Sequence, residues 1–312
     1  IRNPSIPRSS HYLVFCPSNR CLYEMRYSRS YLFVPATDTE AIERAREGPA
    51  DAIVLDMEDA LKPPAKPDGR RTARAALEDR SRDSKPHVVR VNGLDTEWGV
   101  SDLEVLLSTE RPPDALLLPD VRSESDVDVV DDLVREAGHE DETGIVPLVE
   151  RPAAVFRAHE IARASPLISA LAFGMGDLRR HLGTLAQSDA DVSLPRYLVS
   201  LAASAADVPA VDTPYLQRDD PTGLRTDTRE GRRMGYDAKL TFLPDQIPEI
   251  NELFTPSIEE VERSRHFIDA FESAPDEEGA IYVDGTFLDK PVVEAHRERV
   301  VRAAKHGVDP SG

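Results

Sequence analysis

From Tyr31 onward the hydrophobic and polar positions of the chain follow a repeating two-part pattern. Short apolar runs rich in aliphatic residues read as strands: 31–36, 51–57, 87–92, 114–120, 144–150, 169–175, 208–213 and 237–242. Between them lie Ala-, Glu- and Arg-rich stretches with helical spacing at 38–47, 69–78, 101–108, 124–137, 152–163, 193–206 and 226–234. A strand that returns through a helix must pair in parallel with the next. Eight such units over about 220 residues predict an α/β fold, a (β/α)8 TIM barrel. A doubly wound sheet would open on a glycine-rich phosphate turn, and no GxGxxG follows any strand.

The pattern divides the chain into a barrel over 25–255 and a small helical appendage over 256–312. The appendage opens with a capped helix at 254–274, in which Thr255, Pro256 and Ser257 precede Glu259 and Glu260 near the positive helix end. A turn at 275–279, a short strand at 280–285 with a turn at Asp284 and Gly285, and a last helix near 291–305 follow.

Nearly every strand run ends in a chemically active side chain. Asp56, Glu58 and Asp59 follow the second, Arg90 and Asn92 close the third, and Asp120 ends the fourth. Glu150 closes the fifth, Asp177 follows the sixth, Asp212 lies in the seventh and Lys239 in the eighth. All strand C-termini of a parallel barrel share one face, so these groups are expected to converge on one mouth. Such a carboxylate-rich pocket with one Arg and one Lys suits a divalent cation and an anionic substrate.

Composition narrows the partners. The formal net charge is −19, which opposes binding to a phosphate backbone, so no nucleic acid is expected. No apolar run approaches the roughly 20 residues of a membrane span, so no membrane partner is expected either. Only six of the 38 basic residues are Lys, the rest being Arg. With so many short carboxylates, this is the make-up expected of a halophilic, cytoplasmic protein whose self-repulsion is screened by dense salt. Residues 1–24 carry three Arg, one Glu and both cysteines, Cys16 and Cys21, with no helical or strand period. They read as a disordered extension ahead of Met25, and the cysteine spacing suits neither CxxC nor zinc.

Six segments then occur in order: LDMEDAL (55–61), VRVNGLDTEWGVSDL (89–103), LVERPAAV (148–155), LAFGMGDL (171–178), AKLTFLPDQIPEINELFTPS (238–257) and VDGTFLDKPVVEAH (283–296). Together they resemble the HpcH/HpaI aldolase and citrate lyase beta-subunit family, in its malyl-CoA and citramalyl-CoA lyase branch, over residues 28–305. The resemblance implies a Mg2+-dependent barrel, with Mn2+ as a substitute, that makes or breaks a carbon–carbon bond between an acyl-CoA and a 2-oxo acid. It also implies a homotrimer, or a hexamer of trimers.

On the residues themselves, Glu150 and Asp177 offer two hard oxygen ligands at adjacent strand ends, which suits Mg2+ retaining several waters; they match the family's metal ligands. Strand-end pairing of Glu150 and helix capping by Asp177 are the bland readings. Arg90 sits between valines, where an unpaired cation would be expensive, so it requires an anion: a substrate carboxylate, or a fixed pair with Glu58 or Asp59. Glu58 and Asp59 are expected to orient that Arg or hold waters near the metal, with N-capping as the other role of Asp59. By resemblance, Asp289 reaches a neighbouring subunit's mouth and handles protons, and Lys66 and Arg74 lie beside the CoA. A turn-stabilising Asp and exposed helix charges are the simpler readings of those three.

Two departures stand out. The family's Pro-Lys-Val-Glu-Ser appears as Pro119-Asp120-Val121-Arg122-Ser123, and its Gly-Lys-x-x-Ile-His-Pro appears as Ala238 to Pro244, with Leu243 in place of the histidine. Both put the identity of the substrate in question, and the size of the oxo-acid pocket falls to side chains such as Phe33, Trp98 and Met175. The leading expectation is a carbon–carbon lyase on malyl-, methylmalyl- or citramalyl-CoA. The alternatives are a CoA-independent class II pyruvate aldolase, a malyl-CoA thioesterase, and a non-catalytic subunit of a larger citrate lyase-like complex.

Overall fold

A computed structural model describes residues 25–81, 85–184, 191–275 and 279–308. The proposed extension at 1–24, with both cysteines, lies outside the described residues. Eight strands run in sequence order: β1 (Ser30–Pro35), β2 (Ala52–Asp56), β3 (His87–Arg90), β4 (Ala115–Leu118), β5 (Gly144–Val149), β6 (Leu171–Phe173), β7 (Ala210–Asp212) and β8 (Ala238–Thr241). Each pairs in parallel with the next, and β8 returns to β1 through Tyr31 opposite Leu240, closing the predicted barrel.

Strand parity decides what lines the inside. Tyr31, Phe33, Ala52, Val54, Val88, Leu117, Val146, Leu148, Ala172, Val211, Ala238 and Leu240 form one buried cluster. The intervening residues, among them Leu32, Ile53, Leu55, Val89, Leu116, Ile145, Leu171 and Phe173, form a second with the helices. The first is the barrel interior and the second the layer between strands and helices, because successive strand side chains point to opposite faces.

The surrounding helices are α1 (Thr39–Glu47), α2 (Lys66–Asp79), α3 (Gly99–Leu107), α4 (Glu124–Glu136), α5 (Pro152–Phe156), α6 (Ala158–Ala162), α7 (Met175–His181), α8 (Ser193–Ala205), α9 (Pro221–Arg233) and α10 (Ile247–Phe254). The single helix expected at 152–163 is broken at Arg157, whose backbone leaves helical geometry (φ −114°, ψ 13°). Helices α7 and α10 are additional to the sequence reading. Among the described residues no helix is long and apolar enough to cross a membrane.

Beyond the barrel, α11 (Ile258–Glu272) starts at Ser257, whose hydroxyl accepts from Glu260 N while Glu260 reaches back to Ser257 N, a reciprocal cap. The strand expected at 280–285 is half of an antiparallel hairpin, β9 (Ala280–Val283) with β10 (Thr286–Asp289). Its two-residue turn has positive φ at both Asp284 (50°) and Gly285 (77°), the handedness that matches strand twist. The last helix, α12 (Lys290–Lys305), packs along α11, and Arg302 donates to the Asp237 carbonyl just before β8, anchoring its end at the N-terminal side of the barrel.

Candidate active site

The C-terminal mouth is built by residues that continue the interior parity of their strands. Asp56 ends β2 and Arg90 ends β3, directly opposite each other in register. Arg90 donates Nε to Asp56 Oδ1 at 2.8 Å and NH2 to Asp56 Oδ2 at 2.6 Å, a two-pronged pair that fixes the guanidinium plane. Asp56 is itself held by the Glu58 amide, 2.9 Å from Oδ1. The remaining NH1 of Arg90 stands 3.0 Å from Glu58 and 3.6 Å from Asp59. Below, the guanidinium lies 4.8 Å from the Phe33 ring, which stacks on Phe242 with centroids 4.6 Å apart. Asp56 was legible only as one strand-end acid among several; its role as the Arg90 anchor comes from the register.

Across the mouth, Glu150 follows β5 and is buried, 4% exposed. Its Oε1 accepts the Asp120 amide at 2.7 Å. Its Oε2 turns toward Gly174, where a Cβ would stand 2.5 Å away, so only glycine admits the carboxylate at that position. Burial pushes Glu150 well above the usual carboxylate range, and the negative charges of Asp177 and Glu58 push the same way. Burial likewise pushes Glu58 up to about 8; Arg90 pulls it down, but Asp59, Asp56 and Asp177 oppose that pull. Asp177 lies in the first turn of α7 and pairs with Arg180 at 2.8 Å. The mouth therefore holds more carboxyl groups than its own cations pair, and Glu58 and Glu150 are the two whose protonated form is favoured.

These donors suit a hard divalent cation. Glu150 and Asp177 offer two oxygen donors whose mutual repulsion a cation would relieve. Among the described residues no group of three or more His, Cys, Asp or Glu is placed to hold a metal ion, so the two carboxylates would leave most of a cation's coordination to water or substrate.

The structure thus brings Glu58, Asp59, Arg90, Glu150 and Asp177 to one mouth, and corrects three other expectations. Lys66 is buried, and its ammonium points at Met57 O (2.9 Å), Glu58 O (2.7 Å) and Asn92 Oδ1 (2.5 Å), with the Trp98 ring 5.2 Å away. Three acceptors occupy its three N–H donors, so it fixes the Glu58 loop and is not turned to a CoA phosphate. Asn92 continues the chain, donating to Met57 O and to Asp102, which in turn holds Arg70.

Asp212 and Lys239 do not face the mouth. Both occupy outward positions of β7 and β8, between the inward Val211 and the inward Ala238 and Leu240. There Lys239 Nζ binds Asp212 at 2.8 Å and Asp227 at 2.6 Å, while Arg196 of α8 binds Asp212 through two nitrogens and Asp227 through a third. Asp212 and Lys239 are fully buried, and the two cations hold the Asp212 carboxyl below its usual range despite burial. This is a strut between strands and helices in which every carboxylate meets a cation, with Glu230 3.9 Å from Arg196 at its exposed edge.

Two other sequence candidates stay away from the mouth within one chain. Arg74, about two turns down α2 from Lys66, pairs with Glu78 at 2.9 Å on the exposed helix surface. Asp289 caps α12, accepting the Val292 amide at 3.1 Å. Sequence reasoning also gave no role to Arg151, which grips Asp120 through Nε at 2.7 Å and NH2 at 2.6 Å. Its place immediately after Glu150 was the available signal.

Fold and site together define a (β/α)8 barrel with an acidic, arginine-clamped mouth. The model of the HpcH/HpaI aldolase/citrate lyase family matches residues 29–244. The chain is 34% identical over 277 residues to a (3S)-malyl-CoA thioesterase of Cereibacter sphaeroides, covering 88% of this chain and 94% of that protein. It is 31% identical over 290 residues to the citrate lyase subunit beta of Escherichia coli, covering 91% and 95%. Among solved structures, it resembles the protein CitE from Mycobacterium tuberculosis in complex with magnesium, acetoacetate and coenzyme A, with a TM-score of 0.73, 28% identity, and 89% and 98% of the two chains covered. The chain belongs to the HpcH/HpaI aldolase/citrate lyase family.

Proposed function

We propose that this protein is a Mg2+-dependent carbon–carbon lyase that cleaves or forms a 3-hydroxyacyl-CoA such as malyl-, methylmalyl- or citramalyl-CoA, giving an acyl-CoA and a 2-oxo acid. The observation that carries this reading is the meeting of the buried Glu150 with the half-buried Asp177 and with Arg90 at one mouth. The magnesium and coenzyme A bound to the related mycobacterial protein support it.

In the cleavage direction the substrate hydroxyl loses its proton and the carbon–carbon bond between the carbinol and the thioester α carbon breaks. The electron pair passes into the thioester enolate, and a proton returns to the α carbon. Arg90, pinned by Asp56, presents its NH1 edge to the substrate carboxylate. Glu58 and Asp59 flank that edge and set its orientation. Glu150 and Asp177 would hold a Mg2+ ion, which would supply Lewis-acid polarisation to the substrate oxygens. Asp289 returns the proton from a second copy in a homotrimer or hexamer, and Arg74 lies on the CoA side.

A second reading is hydrolysis, favoured by the 34% identity to malyl-CoA thioesterases. There water adds across the thioester carbonyl and CoA leaves as the thiol.

The test offers malyl-, methylmalyl- and citramalyl-CoA separately, with Mg2+ and molar KCl, and follows 2-oxo acid with phenylhydrazine and free CoA with a thiol reagent. The lyase reading expects oxo-acid release that vanishes with EDTA and in Glu150→Ala and Asp177→Ala. Free CoA without oxo acid establishes the thioesterase. Neither product from a folded, Mg2+-binding protein overturns both for these substrates.

A further inference from the structure

The residue after Pro119 stands where the family pattern carries a lysine, and its backbone is unusual. Asp120 has φ 57°, the left-handed region that side chains rarely adopt unless their surroundings impose it. Three contacts do so here. The Asp120 amide donates to Glu150 Oε1 at 2.7 Å. Its carboxylate receives Nε and NH2 of Arg151 at 2.7 and 2.6 Å. His181 Nε2 stands 3.9 Å from Oδ1.

Arg151 immediately follows Glu150, so these bonds close a ring. The Glu150 carboxylate is held by the amide of 120, the side chain of 120 is held by Arg151, and Arg151 is joined covalently back to Glu150. With Oε1 tethered, Oε2 rests beside Gly174, where a Cβ would stand 2.5 Å away. The ring contains one left-handed residue, and a right-handed or extended residue 120 would turn its N–H away from Glu150.

We propose that Asp120 and Arg151 are positioning residues: the pair locks residue 120 in the left-handed conformation so that its amide fixes Glu150 for metal binding. The inference rests on the reading of Glu150 as a metal ligand and deepens it. Neither residue is asked to touch substrate. A salt bridge serving stability alone would not care about the handedness of residue 120, and that difference is measurable.

The experiment compares wild type, Asp120→Gly, Asp120→Val and Arg151→Met, each confirmed folded by its melting curve in EDTA. The first readout is Mn2+ affinity from the free-ion electron paramagnetic resonance signal. Val, which resists positive φ, and Met at 151, which removes the clamp, are expected to weaken Mn2+ about tenfold or more, as loss of a ligand-orienting partner does. Gly, which takes positive φ without strain but offers no carboxylate to Arg151, is expected to weaken Mn2+ less than Val does.

The second readout is amide hydrogen exchange at residue 120 without metal. Protection is expected in wild type, reduced in Gly, and lost in Val and in Arg151→Met. Wild-type affinity in Val, or equal weakening in Gly and Val, overturns the proposal. Should wild type bind no Mn2+, the metal reading fails; the exchange pattern then still decides whether the pair sets the residue 120 amide.

Discussion

Two charged clusters in this barrel look alike in sequence and do opposite things. At the mouth, Asp56, Glu58, Asp59, Glu150 and Asp177 surround Arg90, and burial with mutual repulsion pushes Glu150 well above its usual range. Behind β7 and β8, Asp212 and Asp227 meet Lys239 and Arg196, with Glu230 at the exposed edge, and Asp212 is held below its usual range. One cluster holds carboxyl groups that its own cations leave unpaired, and in the other every carboxylate meets a cation. What separates them is strand parity: Asp56 and Arg90 point inward, Asp212 and Lys239 outward. A buried charge becomes available for chemistry only where the fold leaves its balance incomplete.

The largest effect should come from breaking the balanced cluster. Lys239→Met leaves Asp212 buried with less compensation and should cost about 3–5 kcal/mol of stability in urea unfolding. Loss of oxo-acid release in that variant should follow from unfolding, and activity per folded molecule should be retained.

At the mouth the sign inverts. Glu150→Gln should reduce turnover by about a hundredfold or more while raising the melting temperature in EDTA, because it removes a charge that burial disfavours. A variant both less active and less stable would contradict the contrast.

The third prediction concerns pH. Glu58 rises from 4.5 to about 8 on folding, so its proton is favoured in the folded state. Its contribution to stability is therefore complete below about pH 4.5 and is lost as pH rises toward 8. Melting curves in EDTA from pH 5 to 8 should fall more steeply for wild type than for Glu58→Gln.

The smallest effect belongs to the surface. Arg74→Ala removes an exposed pair with Glu78 and should change stability by about 0.5 kcal/mol or less. A rise in KM for the CoA thioester at unchanged kcat would place Arg74 on the CoA side.

The barrel was legible because its eight apolar runs and intervening helices carry distinct periods, and the residues of the mouth were legible as strand-end acids. Orientation was not. Barrel strands are buried on both faces, so Ala238-Lys239-Leu240 shows no polar alternation to say which way Lys239 points. The same double burial hid the sequestered role of Lys66, which lies 5% exposed although it starts a surface helix. The second hairpin strand was missed because its four residues match no period, although the Asp284–Gly285 turn announced it. The break at Arg157 carries no proline or glycine to mark it.

The central claim is that the mouth, and not the strut behind β7 and β8, is the incomplete charge cluster that a cation completes. Calorimetric titration of Mg2+ into metal-stripped wild type and Glu150→Gln tests it most directly. One Mg2+ site per chain is expected in wild type, and its loss is expected in the variant. Undiminished Mg2+ binding by folded Glu150→Gln would contradict the claim.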